Sequence, residues 1–492
     1  MNTILEIISN LFTLQNLLIL NLGLATGIII GSLPGLTATM GVALLLPLTF
    51  GLGSVPGMLL LLGVYCGGIY GGSITGILIK TPGTPSAAAT VLDGYPMAEK
   101  GEASRALDMA LIASVIGGLF SAFVLMFIAP IIAQFALKFG PIEYFAIAVF
   151  GLTIISGISG DSVIKGLIMG LLGLLVTTIG LDPVGGIDRF TFDIIQLASG
   201  INIIPAMIGL FAIAEIIRKA KTVNMPVDEA IKFQKKKLPF KEVLLYWKTL
   251  LRSSMIGTFI GAIPGTGSAI ASFISYNEAK RNSKDPASFG KGNIEGIAAS
   301  ECANNAVTGA ALIPLLTLGI PGDPTTAILI GALIMQGIIA GPLLFVEERQ
   351  WVYSIMIGLV LLNIFMLIQG KLFIKAFANV VKVPTKILLP ILIVLCVIGS
   401  FAVHNTVFDV LLMLVFGLIG YVLLKLDFPL TPMVIAIVLG PLAENNMRRA
   451  LIMSQGDFRI FFTKPISAIF LTISILVILV PMIRNILKLR DK

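Results

Sequence analysis

Apolar runs recur from one end of the chain to the other, separated by short stretches rich in glycine, proline and charge. A helix needs about 20 apolar residues to cross the hydrocarbon core of a bilayer, so the pattern predicts membrane helices. Runs fall at about 13–32, 55–79, 106–136, 141–159, 162–181, 198–217, 254–276, 296–318, 324–345, 351–369, 387–403, 407–424, 431–443 and 465–483. Several are interrupted by Pro-Gly pairs and read as hairpins rather than full crossings. The expectation is an all-α polytopic membrane protein of about 12 transmembrane segments, some of them broken or re-entrant.

The polar stretches add an orientation. Arg218 to Arg252 holds ten basic residues: Arg218, Lys219, Lys221, Lys232, Lys235, Lys236, Lys237, Lys241, Lys248 and Arg252. Only Asp228, Glu229 and Glu242 oppose them. The positive-inside rule puts this segment, and the tail with Arg484, Lys488, Arg490 and Lys492, on the cytoplasmic side. Asp182 to Asp193 is acidic apart from Arg189 and belongs outside.

Composition agrees. Of 492 residues only 12% are charged and 57% are hydrophobic, where a soluble domain carries about 25% charged residues. The net charge of +8 sits in short loops between apolar runs, which speaks against nucleic-acid binding. Cys66, Cys302 and Cys396 lie far apart without CxxC spacing, and His404 is the only histidine. Neither a zinc site nor a bis-histidine haem can be assembled. The three cysteines are expected as buried thiols, with no metal centre and no cofactor. The first basic residue is Lys80, so a cleavable signal peptide with a basic n-region is not expected.

An internal repeat carries the functional argument. Residues 30–35 read Ile-Gly-Ser-Leu-Pro-Gly and residues 260–265 read Ile-Gly-Ala-Ile-Pro-Gly. Downstream, Thr81-Pro82-Gly83-Thr84-Pro85 matches Ile320-Pro321-Gly322-Asp323-Pro324, so the two offsets are 230 and 239 residues. This divides the chain into an N-terminal membrane repeat (1–217), a basic connecting segment (218–252) and a C-terminal repeat with terminal helices (253–492). The basic cluster precedes the second Gly-x-x-Pro-Gly and nothing basic precedes the first, so the halves are expected to enter from opposite faces. Inverted repeats of this kind belong to alternating-access transporters.

Proline removes an N–H donor and glycine loosens the backbone, so a Pro-Gly pair interrupts a helix. In hydrocarbon the freed polar groups must be satisfied by protein or by a wet cavity. A break also exposes a half-helix N-terminus, which favours a carboxylate, beside carbonyls suited to a cation. Candidate substrate-binding residues are therefore Pro34, Gly35, Thr37, Ser73, Thr75, Pro82, Gly83 and Thr84 in the first half. Those in the second are Pro264, Gly265, Thr266, Ser268, Asn304, Asn305, Thr308, Pro321 and Gly322. Many such hydroxyls serve only as interhelical glue. Intramembrane carboxylates are costly and point to function, so Asp323, with Thr325, and Glu301 are candidates for the coupling ion. Glu301 also fits a membrane-surface position. Lys80 fits either a substrate carboxylate or the membrane interface, and Arg448 and Arg449 fit a loop or interfacial helix.

These blocks resemble the large membrane subunit of the tripartite tricarboxylate transporter family. The matching residues are Gly31–Gly41, Tyr70–Thr75, Thr81–Ser86 with Asp93–Pro96, Ile263–Ser268, Phe289–Ala306, Gly319–Pro324, Leu439–Arg449 and Ser454–Asp457. The family pattern admits Asn where this chain has Lys80. The resemblance implies a multi-pass protein of the inner (cytoplasmic) membrane that is not an enzyme. It also implies two partners: a small membrane subunit of about four helices, and a secreted or periplasmic solute-binding protein. The implied cargo is a tricarboxylate or related organic acid, driven by Na+ or H+. A standalone carrier of amino acids or inorganic anions is the alternative.

Overall fold

The structure is a computed structural model that describes residue 7 and residues 9–158, 163–220, 238–380 and 385–490. Much of the basic connecting segment, including Lys221, Asp228, Glu229, Lys232 and Lys235–Lys237, lies outside the described residues, as does Lys492. The described chain is helical apart from one small hairpin, in which Gly180–Leu181 pairs antiparallel with Asp188–Arg189. Among the described residues six helices are long and apolar enough to span a bilayer: Leu14–Gly31, Ser54–Ile79, Ala103–Ala136, Arg349–Val380, Lys386–His404 and Val407–Lys425. Shorter apolar helices accompany them.

Two compact units are present, each discontinuous in sequence. One comprises Met1–Ala133 with Lys219–Leu395, the other Gln134–Arg218 with Cys396–Lys492.

In the first unit the same succession of elements occurs twice. Leu14–Gly31 ends at the first Pro-Gly, Ala38–Leu45 follows, then the long Ser54–Ile79, the second Pro-Gly and Ala88–Glu99. In the second half Trp247–Gly261 ends at a Pro-Gly, Gly267–Asn282 follows, then Ile294–Ala310 and Leu312–Leu318, a second Pro-Gly and Pro324–Met335. The run expected as one segment over 254–276 is thus two helices. Proline and a left-handed glycine end the first of them.

Glycine brings the paired helices together. A Cβ on Gly23, Gly27 or Gly31 would fall 2.3, 2.6 or 2.2 Å from the carbonyl oxygen of Leu60, Val64 or Gly68, and Gly63, Gly67 and Gly71 face back the same way. The four-residue spacing keeps all six glycines on the seam between Leu14–Gly31 and Ser54–Ile79. Gly257 and Gly261 do the same against Ala303 and Val307. Gly67 and Gly71 thus bring the glycine-rich 67–76 segment against the preceding helix.

A buried carboxylate fastens the polar end of this unit. Asp93 is fully buried; its Oδ1 accepts the backbone N–H groups of Gly290, Gly292 and Asn293 at 2.9, 2.8 and 2.7 Å. The Tyr276 hydroxyl donates to its Oδ2 at 2.7 Å. Gly290 and Gly292, at φ 81° and 97°, let the loop curl round one oxygen.

The second unit packs Leu430–Met453 on Pro141–Ile158 and Val163–Thr177, and Val407–Lys425 on the π-helical turn Ile208–Ile213. Arg448 and Arg449 lie in the Leu430–Met453 helix, not in a loop. Arg448 bonds Asp182 at 2.7 Å and Glu444 at 2.8 Å, and Arg189 bonds Glu444 at 2.6 Å. The N–H groups of Gly185 and Val184, with Arg448, hold the Asp182 carboxyl down at about 2. A cavity of about 430 Å³, lined in part by Thr177, Arg189, Ser199, Glu444 and Asn445, opens between this hairpin region and the helix.

Two outcomes follow. Gly27→Leu should abolish the folded monodisperse protein, because overpacking a filled seam costs about 1–3 kcal/mol or more and here the obstacle is backbone; size-exclusion chromatography in detergent reads it. Asp93→Ala should lower stability by about 3 kcal/mol, since it strands buried donors. A thermal-unfolding midpoint within a degree or two of wild type would remove Asp93 from that role.

Candidate functional site

All four Pro-Gly breaks lie in the first unit, and each is closed by its own local geometry. Gly35 and Gly265 adopt φ of 76° and 84°, conformations that L side chains resist. Gly83 and Gly322 are needed for space: a Cβ would lie 2.0 Å from the Gly31 carbonyl oxygen and 2.8 Å from the Ala311 Cα. The Gly265 N–H donates to the Gly322 carbonyl at 2.7 Å, so the two breaks of the second half touch directly. Pro264 and Pro321 are buried and Pro34 and Pro82 partly so. The Pro34 carbonyl accepts from Lys219 at 2.5 Å.

Across the repeats the pairing is reciprocal. Ala38–Leu45, after the first break of one half, packs on Pro324–Met335, after the second break of the other. There Thr39 and Thr325 share a hydrogen bond of 2.8 Å. Gly267–Asn282 packs in turn on the Pro85–Ala87 turn and on Ala88–Glu99. Short helices from opposite halves therefore cross twice.

The crossings differ in chemistry. At the Thr39–Thr325 crossing both N-termini are capped by their own side chains. Thr37 accepts from the Met40 N–H at 3.1 Å, and Asp323 accepts from Thr326 N–H at 2.7 Å within a capping box. The Tyr65 hydroxyl donates to the other Asp323 oxygen. At the second crossing neither N-terminus has a side-chain cap. Thr266 turns its hydroxyl back to the Ile260 and Ile263 carbonyls, and Thr84 bonds Ser86 at 2.8 Å. Ser268 is half-buried at the first turn of Gly267–Asn282. The 239-residue offset that relates Pro82 to Pro321 also relates Thr84 to Asp323 and Tyr65 to Asn304. Where one half has a carboxylate cap with its tyrosine donor, the other has a threonine and an amide. Asn304 is fully buried beside Glu301, and its amide oxygen has no partner; the Asn305 amide oxygen is also unpartnered.

Other candidate hydroxyls serve the helices that carry them. Ser73, Thr75 and Thr308 donate to the Tyr70, Gly72 and Asn305 carbonyls at 2.6, 3.1 and 2.7 Å. Glu301 is fully buried, not at a surface. Thr90 donates to its Oε1 and Ser114 to its Oε2 at 3.1 Å. Lys80 is exposed, with its ammonium 5.4 Å from the centre of the Tyr95 ring, and ends Ser54–Ile79 at φ 59°. Asn would tolerate that left-handed position better than Lys. Sequence reasoning passed over Tyr65, Tyr70 and Ser114. Two tyrosines whose hydroxyls need partners inside the apolar run 55–79 were the available signal.

Comparison with known proteins bears on the whole arrangement. The model of the tripartite tricarboxylate transporter TctA family matches residues 17–435, a range that includes all four breaks and both crossings. An uncharacterised 52.8 kDa protein of the TAR-I ttuC' 3' region of Agrobacterium vitis is 36% identical over 99% of both chains. A second from the same organism, in the TAR-II ttuC' 3' region, is 37% identical over 48% of this chain and 98% of its own length. No solved structure matches the chain. The repeated breaks, the membrane helices and the family match over most of the sequence agree: the chain belongs to the tripartite tricarboxylate transporter TctA family, a family of multi-pass membrane transport proteins.

Proposed function

We propose that this chain is the membrane subunit of a cation-coupled secondary transporter in the cytoplasmic membrane. It imports tricarboxylates or related organic acids handed over by an extracytoplasmic binding protein, together with a small membrane subunit. The family works in tripartite systems, which supports two partners. The crossed pairing of the four breaks carries the reading. A pseudo-twofold relation between two inverted halves, within about 12 membrane segments, would require such reciprocity, and a crossed pair of half-helices near the bilayer centre suits alternating access.

The chemical difference between the crossings supports the second one as the place of the substrate. At one, the N-terminal N–H groups of Pro324–Met335 already face the Asp323 carboxylate. At the other, the N-terminus of Gly267–Asn282 carries no capping side chain, and its partial positive charge favours an anion. Ser268, Thr266, Thr84, the Asn304 amide and the unpartnered Asn305 amide oxygen supply neutral donors and acceptors for a multiply charged acid, and Pro264-Gly265 and Pro82-Gly83 set the backbone around it. Pro34-Gly35, Thr37 and Pro321-Gly322 shape the opposite crossing. Na+ or H+ is the coupling ion, with Asp323 beside Thr325 and Glu301 as the two carboxylates available to it.

The test is uptake of labelled citrate and a panel of mono- to tricarboxylates into cells expressing this chain with both partners, with and without a cation gradient. At least one acid should enter only when the binding protein and the gradient are present. Uptake by this chain alone would favour a standalone carrier, and failure across the panel by a correctly inserted complex would point to another ligand class.

A further inference from the structure

The Glu301 carboxylate has surroundings unlike those of the other buried acids in the first unit. Asp93 is met by three backbone N–H groups and a tyrosine, and Asp323 by a tyrosine and its own helix N-terminus. Glu301 lies mid-helix in Ile294–Ala310, with no helix terminus near it in sequence and no basic side chain bonded to it among the described residues. Oxygens gather round it from four helices of both sequence halves. Thr90 and Ser114 donate to it, Ser300 shares a 2.9 Å hydrogen bond with Thr90, and Ser73 and Asn304 border the carboxylate. Asn304 lies three residues on, about one helical turn. Its amide oxygen lacks a partner although the residue is wholly buried, and so does the hydroxyl of Tyr70, itself wholly buried and within electrostatic reach of Glu301.

One carboxyl group, able to carry a single negative charge, and a ring of neutral oxygens, sealed from water, match the needs of a small hard cation. Such cations take several oxygen ligands, and a single carboxylate matches one positive charge rather than two. Among the described residues no group of three His, Cys, Asp or Glu could hold a multivalent metal. We propose that Glu301, with Thr90, Ser300, Tyr70 and the Asn304 amide oxygen, forms a binding site for a dehydrated alkali cation. The site rests on the transport reading above and gives the coupling ion its place. Thr90 stands on Ala88–Glu99 and Glu301 on Ile294–Ala310, both of which pack on Gly267–Asn282. A cation drawing these oxygens inward therefore also sets the spacing of the second crossing, where the acid binds.

The full-length chain in lipid nanodiscs, titrated with radioactive sodium and with unlabelled Na+ or K+ as competitor, tests this without any transport assay. Saturable binding is expected, with affinity lowered at least about tenfold in Glu301→Gln and several-fold in Asn304→Ala and Tyr70→Phe. The latter two guard against a Glu301 variant that does not fold. Asp323→Asn should still bind the ion. The competitor that displaces the label decides between Na+ and K+ at the same site. Wild-type affinity in folded Glu301→Gln, or loss in Asp323→Asn alone, would overturn the assignment. So would wild-type protein with no saturable alkali-cation binding, which would leave the proton as partner of Glu301. Binding without uptake of any carboxylate by the three-protein system would defeat the importer reading and leave this site standing; gradient-dependent uptake without binding would do the reverse.

Discussion

A helix that stops inside a bilayer must hand its unsatisfied backbone groups to something else, and most of the first unit is organised around that obligation. Where no wet cavity reaches it, each orphaned group costs several kcal/mol. The four Pro-Gly breaks meet it by bringing backbone to backbone. Gly265 donates to Gly322, Gly83 donates to the Gly72 carbonyl, and Thr37 and Asp323 cap the helices that restart. Such approaches need residues without a Cβ, which accounts for glycine at 83 and 322 and for the glycine seam between Leu14–Gly31 and Ser54–Ile79. Sequence, local geometry and packing are one constraint seen at three scales.

The two crossings meet that obligation unequally. Related by the same offset, Asp323 and Thr84 leave their helices in opposite electrostatic conditions. One N-terminus faces a carboxylate of its own chain and the other faces neutral hydroxyls. On the proposed reading, an imported acid finds its favourable partners at the second. Glu301 supplies the complementary imbalance, a buried carboxyl group with no basic side chain bonded to it among the described residues, on the helix that borders the same crossing. Binding an anion and a cation within one packed cluster is a physical route to coupling, because each ion relieves a field that the other would find unfavourable.

Much of this was legible in the residues. Apolar run lengths announced the membrane helices, and the two Pro-Gly pairs at offsets of 230 and 239 residues announced the doubled succession of elements. What periodicity could not show was partnership. The short Ala38–Leu45, Ala88–Glu99 and Gly267–Asn282 helices carry too few residues, or too mixed a composition, to stand out from their flanks. The reciprocal crossing exists only in three dimensions. Asp93 read as part of a family block without a role, since its partners Gly290, Gly292 and Asn293 lie about 200 residues away. Glu301 was ambiguous because it stands between a polar stretch and an apolar one, and only burial decides between surface and core. Tyr65 and Tyr70 were hidden by their hydrophobic bodies.

The claim on which the account turns is that the second crossing receives the carboxylate. Ser268, half-buried at the uncapped N-terminus, offers a direct probe as Ser268→Cys in a chain from which Cys66, Cys302 and Cys396 have been replaced. The measurement is the rate at which a small maleimide alkylates that thiol in membranes, with and without the acid that supports uptake. The account predicts that saturating acid slows alkylation several-fold and that an acid which is not transported leaves the rate alone. An unchanged rate in a variant that still transports would contradict it and place the substrate elsewhere in the protein.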